Sequence, residues 1–537
     1  MENILPFKMT KLGWKWAPRA PLIVSVPSVI FALLMLLPLV YLMVRTADLG
    51  SEVWRYISRP RTLSVLWQTI LLATSTTFVT IMIGVPLAWL TTRSDLPGRR
   101  VWLILTVLPL VIPSFVGGYV IIGALGPRGI LQQLLEGPFG VERLPEIYGF
   151  PGALLALTLF SYPYVLLSVR AGLRGLDPAL DESARSLGHG TWSTFFRLTL
   201  PLLRPSITAG GLLVALYTLS DFGAVSMMQF DSFTRVIYMQ YTASLNRSSA
   251  AVLALMLVVL TFSILAIETW TRGRVRYYSV GSGSKRRQQP IPLGRWRWPA
   301  LLFCAVIVLI ALIMPLGVLT FWLVRGINAG ETLQSLWELI GNSLYASGFS
   351  AIATTLVALP IAFWFVRYPG RPSRTVERMA YVGYALPGVV VALSLVFFGA
   401  RYVPLLYQTM AIMIFAYVVR FLPQALGSIE TALEQVNPRM EEAARSLGYG
   451  PLSVLFRITF PIARGGIASA TALVFLTTMK ELPVTLILSP IGFKTLATRI
   501  WSATDEGFFA LGAAPALVLV LFSALSMLPI LIATRET

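Results

Sequence analysis

The chain has 537 residues, of which 56% are hydrophobic and only 12% charged, and its net charge is +19. This balance excludes an ordinary soluble domain. One cysteine, Cys304, and one histidine, His189, exclude a disulfide framework and a Cys/His metal cluster. Cys304 lies in an apolar run and is expected to face lipid or core. In a hydrophobic chain the positive charge reads as basic cytoplasmic loops rather than a nucleic-acid surface.

Twelve apolar stretches are each long enough to cross a hydrocarbon core of roughly 30 Å as a helix. In chain order they lie near residues 21–44, 65–90, 101–125, 151–171, 206–229 and 249–270, then 299–324, 341–366, 378–400, 405–427, 466–489 and 508–534. The first has basic residues before it but no small-residue cleavage pattern after it, so it reads as a span rather than a removable signal. Prolines within the spans, among them Pro86, Pro113, Pro163, Pro360, Pro387 and Pro423, predict kinks that neighbouring helices satisfy. Residues 126–150 form the largest outer loop, where Gly and Pro predict a short helix between turns.

Alternating the spans from an inside N-terminus puts 29 of the 43 Lys and Arg residues on inside segments and 12 outside, with Arg420 and Lys480 within spans. Both termini are therefore expected to be cytoplasmic. The chain divides into a tail over 1–20, a first half over 21–271, a basic linker over 272–298 and a second half over 299–537. The linker's centre, GSGSKRRQQP, reads as flexible. It lacks the spacing of a phosphate-binding loop.

The two halves repeat. Segment 177–207 returns as 437–467, and Glu182–Ile207 and Glu442–Ile467 agree at 14 of 26 positions. Each copy begins with an N-cap residue, Asp177 or Asn437, followed by proline. Acidic residues follow in the first turns, at Asp181, Glu182, Glu441 and Glu442, where the helix dipole favours them. Gly188 and Gly448 stand where a left-handed C-cap is expected. A second short helix is expected to begin near Thr191 or Pro451 and to stop before Pro201 or Pro461. Six spans separate equivalent points, so the halves are parallel rather than inverted repeats.

The repeated unit resembles the cytoplasmic motif of the membrane subunits of bacterial binding-protein-dependent ABC importers. That motif is Glu-Ala-Ala, three residues, Gly, nine residues, Ile, one residue, Leu-Pro. The second copy matches at Glu442-Ala443-Ala444, Gly448, Ile458 and Phe460-Pro461, and the first at Glu182-Ser183-Ala184, Gly188, Leu198 and Leu200-Pro201. With two halves in one chain, and with the phrases SDFGAVSMM and KELPVTLIL, the sequence is similar to the ferric-iron permease family, with thiamine permeases as near relatives.

The resemblance implies an all-α polytopic fold of twelve transmembrane helices in two six-helix repeats, the type I importer architecture. It implies a non-catalytic permease in the bacterial inner membrane, with no cofactor of its own. Two copies of an ATPase subunit, carrying ATP and Mg, would dock at the cytoplasmic face, and an extracytoplasmic binding protein would deliver cargo. Glu182, Ala184 and Gly188, with Glu442, Ala444 and Gly448, would couple to the ATPases. Thiamine or another small solute is an alternative cargo, and an ion-gradient-driven transporter with parallel repeats is an alternative class.

Ionisable residues within spans mark candidate pathway positions. Asp221, Lys480 and Glu481 qualify, with Tyr217 one turn from Asp221. Counted from the cytoplasmic start, Asp221 lies about 22 Å along its helix at about 1.5 Å per residue. These oxygens suit a hard cation such as ferric iron. The preferred reading is that Lys480 and the acids form a gate or a packing salt bridge without touching the substrate, and no metal ligand set is assigned.

Overall fold

The structure, a computed structural model, describes residues 20–188, 190–243, 248–271, 290–331 and 334–533. The tail before residue 20, His189 and the linker centre at 272–289 lie outside the described residues. Helices are the regular structure of those residues, joined by loops, with one isolated bridge between Ser94 and Ile291.

Among the described residues nine helices have the length and apolarity to cross a membrane. Two further spans are bent pairs: Trp192–Leu202 with Arg204–Ser220 at 64°, and Arg371–Ala385 with Gly388–Tyr402 at 104°. Phe509–Leu525 is a shorter apolar stretch. Each overlaps one of the twelve expected stretches, but the third, Ser114–Phe139, is shifted C-terminally from the expected 101–125. Residues 126–150 carry the expected short helix, Ile130–Phe139, and Cys304 is buried.

The prolines act in two ways. Pro86, Pro163, Pro360 and Pro423 sit inside continuous helices. Pro113 and Pro387 instead stand at breaks in the third span of each half, both in extended conformation, immediately before the helices Ser114–Leu125 and Gly388–Tyr402. A proline disfavours helical geometry in the residue before it, and Ile112 is accordingly extended, with φ −81° and ψ 117°.

Two compact units emerge, and they do not follow the sequence halves. Among the described residues, one gathers those up to Leu37 with Phe349–Tyr384 and Tyr417–Phe475; the other holds those from Pro38 to Gly348, Ala385–Ala416 and those from Leu476 onward. In the larger unit Pro60–Arg93, Phe150–Gly175 and Arg204–Ser220 pack as a close trio. Glycines permit the approach: a Cβ on Gly84 or Gly210 would lie 2.9 Å from Val165. The same unit joins the halves, because Met314–Asn328 of the second packs against Ser114–Leu125 of the first. The Tyr119 hydroxyl also donates to the Phe509 carbonyl at 2.7 Å.

In the smaller unit, Gly383 lies in the turn before the 104° bend, and a Cβ there would sit 2.0 Å from the carbonyl oxygen of Val419. Backbone cannot yield as a flexible side chain can. Gly383→Ala is therefore expected to destabilise the protein by about 1–3 kcal/mol. Thermal unfolding of the purified protein measures this; an unchanged midpoint would contradict it.

Two expectations about helix continuity change. The stretches 206–229 and 466–489 are not single spans: the helices end at Ser220 and Met479, and the short helices Gly223–Met227 and Pro483–Leu488 follow. Nor does the second helix of the repeated unit stop before its proline. In both copies it passes through a π-helical turn, Phe195–Thr199 or Leu455–Thr459, with Leu200 N–H bonding to Phe195 O and Phe460 N–H to Leu455 O. Proline lacks an N–H and its ring crowds the carbonyl four residues back, and the wider turn relieves both problems. The copies then diverge. The first carries a second proline, Pro205, and bends at Leu203, whereas the second has Gly465 there and continues unbroken to Met479.

Candidate functional site

The repeated segments form helix–corner–helix units as expected. In the second copy the Asn437 side chain accepts a hydrogen bond from Arg439 N–H at 3.0 Å and starts the helix Pro438–Ser446. In the first, Asp177 Oδ1 accepts from Ala179 N–H at 2.9 Å and starts Pro178–Ser186. The corners are left-handed glycines, with φ +82° at Gly188 and +88° at Gly448. Tyr449 N–H closes back on Ala444 O at 3.2 Å, completing the second C-cap.

The side chains sort themselves by face. Glu442 is exposed, while Ala444 is buried and Ala184 half-buried. The side chain of Glu182 lies outside the described residues. The larger finding is Glu441, one residue before the motif glutamate and only 4% exposed. Its Oε1 accepts from Arg367 Nε at 2.8 Å and from Thr459 Oγ1 at 2.9 Å. Glu441 and Ala444 are three apart and share the inward face of the helix; Glu442 and Arg445 share the outward one.

Both corners present an apolar knob that sequence reading passed over. Leu187 is 78% exposed and Leu447 is 79% exposed, each immediately before its glycine. Phe196 and Phe456, again equivalent, are also exposed, as are Trp192 and Tyr449. The only prior signal was position: a leucine at the end of a short, highly charged helix has no inward face left to join.

At the broken spans the carboxylates hold backbone. Asp221 is 7% exposed, and its Oδ1 accepts from Ala224 N–H at 2.9 Å, capping the short helix that follows. Its carbonyl accepts from the Thr234 hydroxyl. Glu481 is 6% exposed and takes the equivalent role more loosely, with Val484 N–H 3.4 Å from Oε1. Its carbonyl accepts from Thr485 Oγ1 at 2.6 Å. Tyr217 bonds to Ser114 at the first turn of Ser114–Leu125 and lies beside Tyr164, with ring centroids 5.8 Å apart. Lys480, next to Glu481 in the chain, is half-buried. Asp221→Ala is expected to cost about 1–2 kcal/mol through the lost cap, with Asn restoring most of it. Equal unfolding midpoints for wild type and the alanine variant would refute the capping role.

The chain is thus a polytopic helical membrane protein that carries two equivalent helix corners, each with an exposed leucine. Residues 81–277 and 352–535 match the family of binding-protein-dependent transport system inner membrane components, and the chain belongs to it. It is thus a permease subunit of an ABC transporter, a non-catalytic multi-pass component of the inner membrane that works with an ATPase and a binding protein.

The relatives that match most of the chain are ferric-iron permeases. The chain is 33% identical to the Fe(3+)-transport system permease protein FbpB 2 of Haemophilus influenzae over 513 residues, 94% of this chain and 97% of that one. It is 24% identical to the ferric transport system permease protein FbpB of Actinobacillus pleuropneumoniae over 88% of this chain and 71% of that one. The molybdenum transport system permease protein ModB of Escherichia coli is 32% identical over 214 residues, 38% of this chain and 92% of that one.

Proposed function

We propose that this permease moves ferric iron inward, delivered by an extracytoplasmic binding protein and driven by two copies of an ATPase docked at the cytoplasmic face. The near full-length likeness to a Fe(3+)-transport permease supports the cargo. The two exposed corners, Leu187–Gly188 and Leu447–Gly448, support the docking, one ATPase to each. ATP and Mg belong to the partner, and this chain holds neither. Both termini and both repeated segments lie on the cytoplasmic side, in keeping with the excess of Lys and Arg there.

Nucleotide-driven closure of the ATPases would shift the permease between two states by binding one of them better, with the corners as the points of application. Asp221 and Glu481 act as caps that set the span breaks, and Tyr217 and Lys480 line the outer half of the path. Uptake is the test. The permease is expressed with its ATPase and binding protein in cells lacking iron and thiamine importers, and labelled ferric iron and labelled thiamine are offered separately, with and without ATP depletion. Iron uptake that disappears on ATP depletion is the expected result. Thiamine uptake alone would overturn the cargo. Uptake that persists on a proton gradient would overturn the ATP-driven class.

A further inference from the structure

We propose that Arg367, Glu441 and Thr459 form the joint through which movement of the second repeated segment reaches the spans, acting as positioning residues; this rests on the docking reading above. Arg367 is the last residue of the helix Gln334–Arg367. Its Nε donates to Glu441 Oε1 at 2.8 Å, and its Nη2 donates to the carbonyls of Leu433 at 3.1 Å and Val436 at 3.2 Å. Thr459 Oγ1 donates to the same Glu441 oxygen at 2.9 Å. Four pieces of chain therefore meet on one guanidinium and one carboxylate. They are the end of Gln334–Arg367, the end of Met410–Glu434 with its following turn, the docking helix Pro438–Ser446, and the π-helical turn that leads into Phe460–Met479.

Burial is what makes this a joint rather than a loose contact. Glu441 and Thr459 are buried, and the Arg367 side chain is nearly so. An exposed ion pair separates at little cost because water replaces the partner. A buried pair cannot separate without leaving uncompensated charge in a poor solvent. A displacement of the docking helix must then carry the three spans with it. The exposed Glu442, by contrast, is free to meet a partner protein. Part of the arrangement occurs in the first half as well. Arg93, the last residue of Pro60–Arg93, is buried, and its Nη2 donates to the Leu173 carbonyl at 3.2 Å, with Leu173 lying 260 residues before Leu433.

The test uses the whole transporter, permease with ATPase, reconstituted in lipid vesicles, with the binding protein loaded with ferric iron as the stimulus. Three readouts are taken: ATPase retained by the purified permease, the ratio of stimulated to basal ATP hydrolysis, and iron uptake. In the double variant Arg367→Met/Glu441→Met the charges leave together, so folding and ATPase retention are expected to survive. The stimulated-to-basal ratio and uptake are expected to fall roughly tenfold, the scale of coupling changes carried by single networks. Thr459→Val and Arg367→Lys keep the charge balance and serve as milder variants, with a loss of roughly threefold expected in each. Retention with a wild-type ratio in the double variant would overturn the proposal and leave the pair a packing feature. Should the double variant fail to reach the membrane, the milder two decide: full stimulation in both overturns the joint, and loss in either with the ATPase retained supports it. A wild-type permease that retained no ATPase would instead sink the docking reading itself.

Discussion

Glu441→Ala is expected to destabilise the permease by about 3–5 kcal/mol, whereas Glu442→Ala, one residue on, should change stability by less than about 0.5 kcal/mol. The two glutamates are chemically identical and adjacent in one helix. They differ in what surrounds them. Removing Glu441 strands the Arg367 guanidinium and the Thr459 hydroxyl in the interior, the guanidinium keeping only the carbonyls of Leu433 and Val436. Removing Glu442 takes a carboxylate out of water and leaves nothing unsatisfied behind it. Thermal unfolding of the detergent-purified variants, side by side, measures the difference. Equal midpoints would mean that the buried pair carries no stability, and a lower midpoint for Glu442→Ala would invert the assignment of faces.

The second large effect concerns partner binding rather than folding. Leu187→Asp combined with Leu447→Asp is expected to abolish retention of the ATPase while leaving the unfolding midpoint of the isolated permease unchanged. Both leucines are more than three-quarters exposed, so the fold does not use them. Burying one leucine in a partner's groove contributes about 1.5–3 kcal/mol. An aspartate in the same groove adds the cost of an unpaired buried charge, so each substitution should weaken binding by roughly tenfold or more. Co-purification of the ATPase, followed by titration of single and double variants, reads this directly. Retention of the ATPase by the double variant would show that docking relies on other parts of the segments. Phe196 and Phe456, exposed and equivalent, would be the next residues to test.

Much of this protein was legible in its sequence. The helical spans are visible because lipid demands continuous apolar chain whose backbone satisfies itself, and that demand writes directly into hydropathy. The repeated segment was visible because its signals are local: an N-cap side chain, a proline at the first helical position and a glycine at the corner each act within a few residues. Their geometry is as expected, down to the positive φ of Gly188 and Gly448. The helix breaks were harder. Pro113 and Pro387 resemble Pro86 and Pro360 in sequence, yet the first two end helices and the others are absorbed. Neighbouring chain settles which happens, and local sequence does not contain it.

The sequence alone determined the class of the chain, the duplication, the corner motif and the candidate residues within spans. Each of these depends on composition or on contacts a few residues long. Tertiary structure decided which of two adjacent glutamates turns inward and that Arg367 meets it across 74 residues of chain. It also decided that Asp221 and Glu481 hold backbone N–H groups at the starts of the short helices that follow them. Burial and partnership are properties of packing. The free energy of a charge depends on the solvent around it, and only the folded chain sets that solvent.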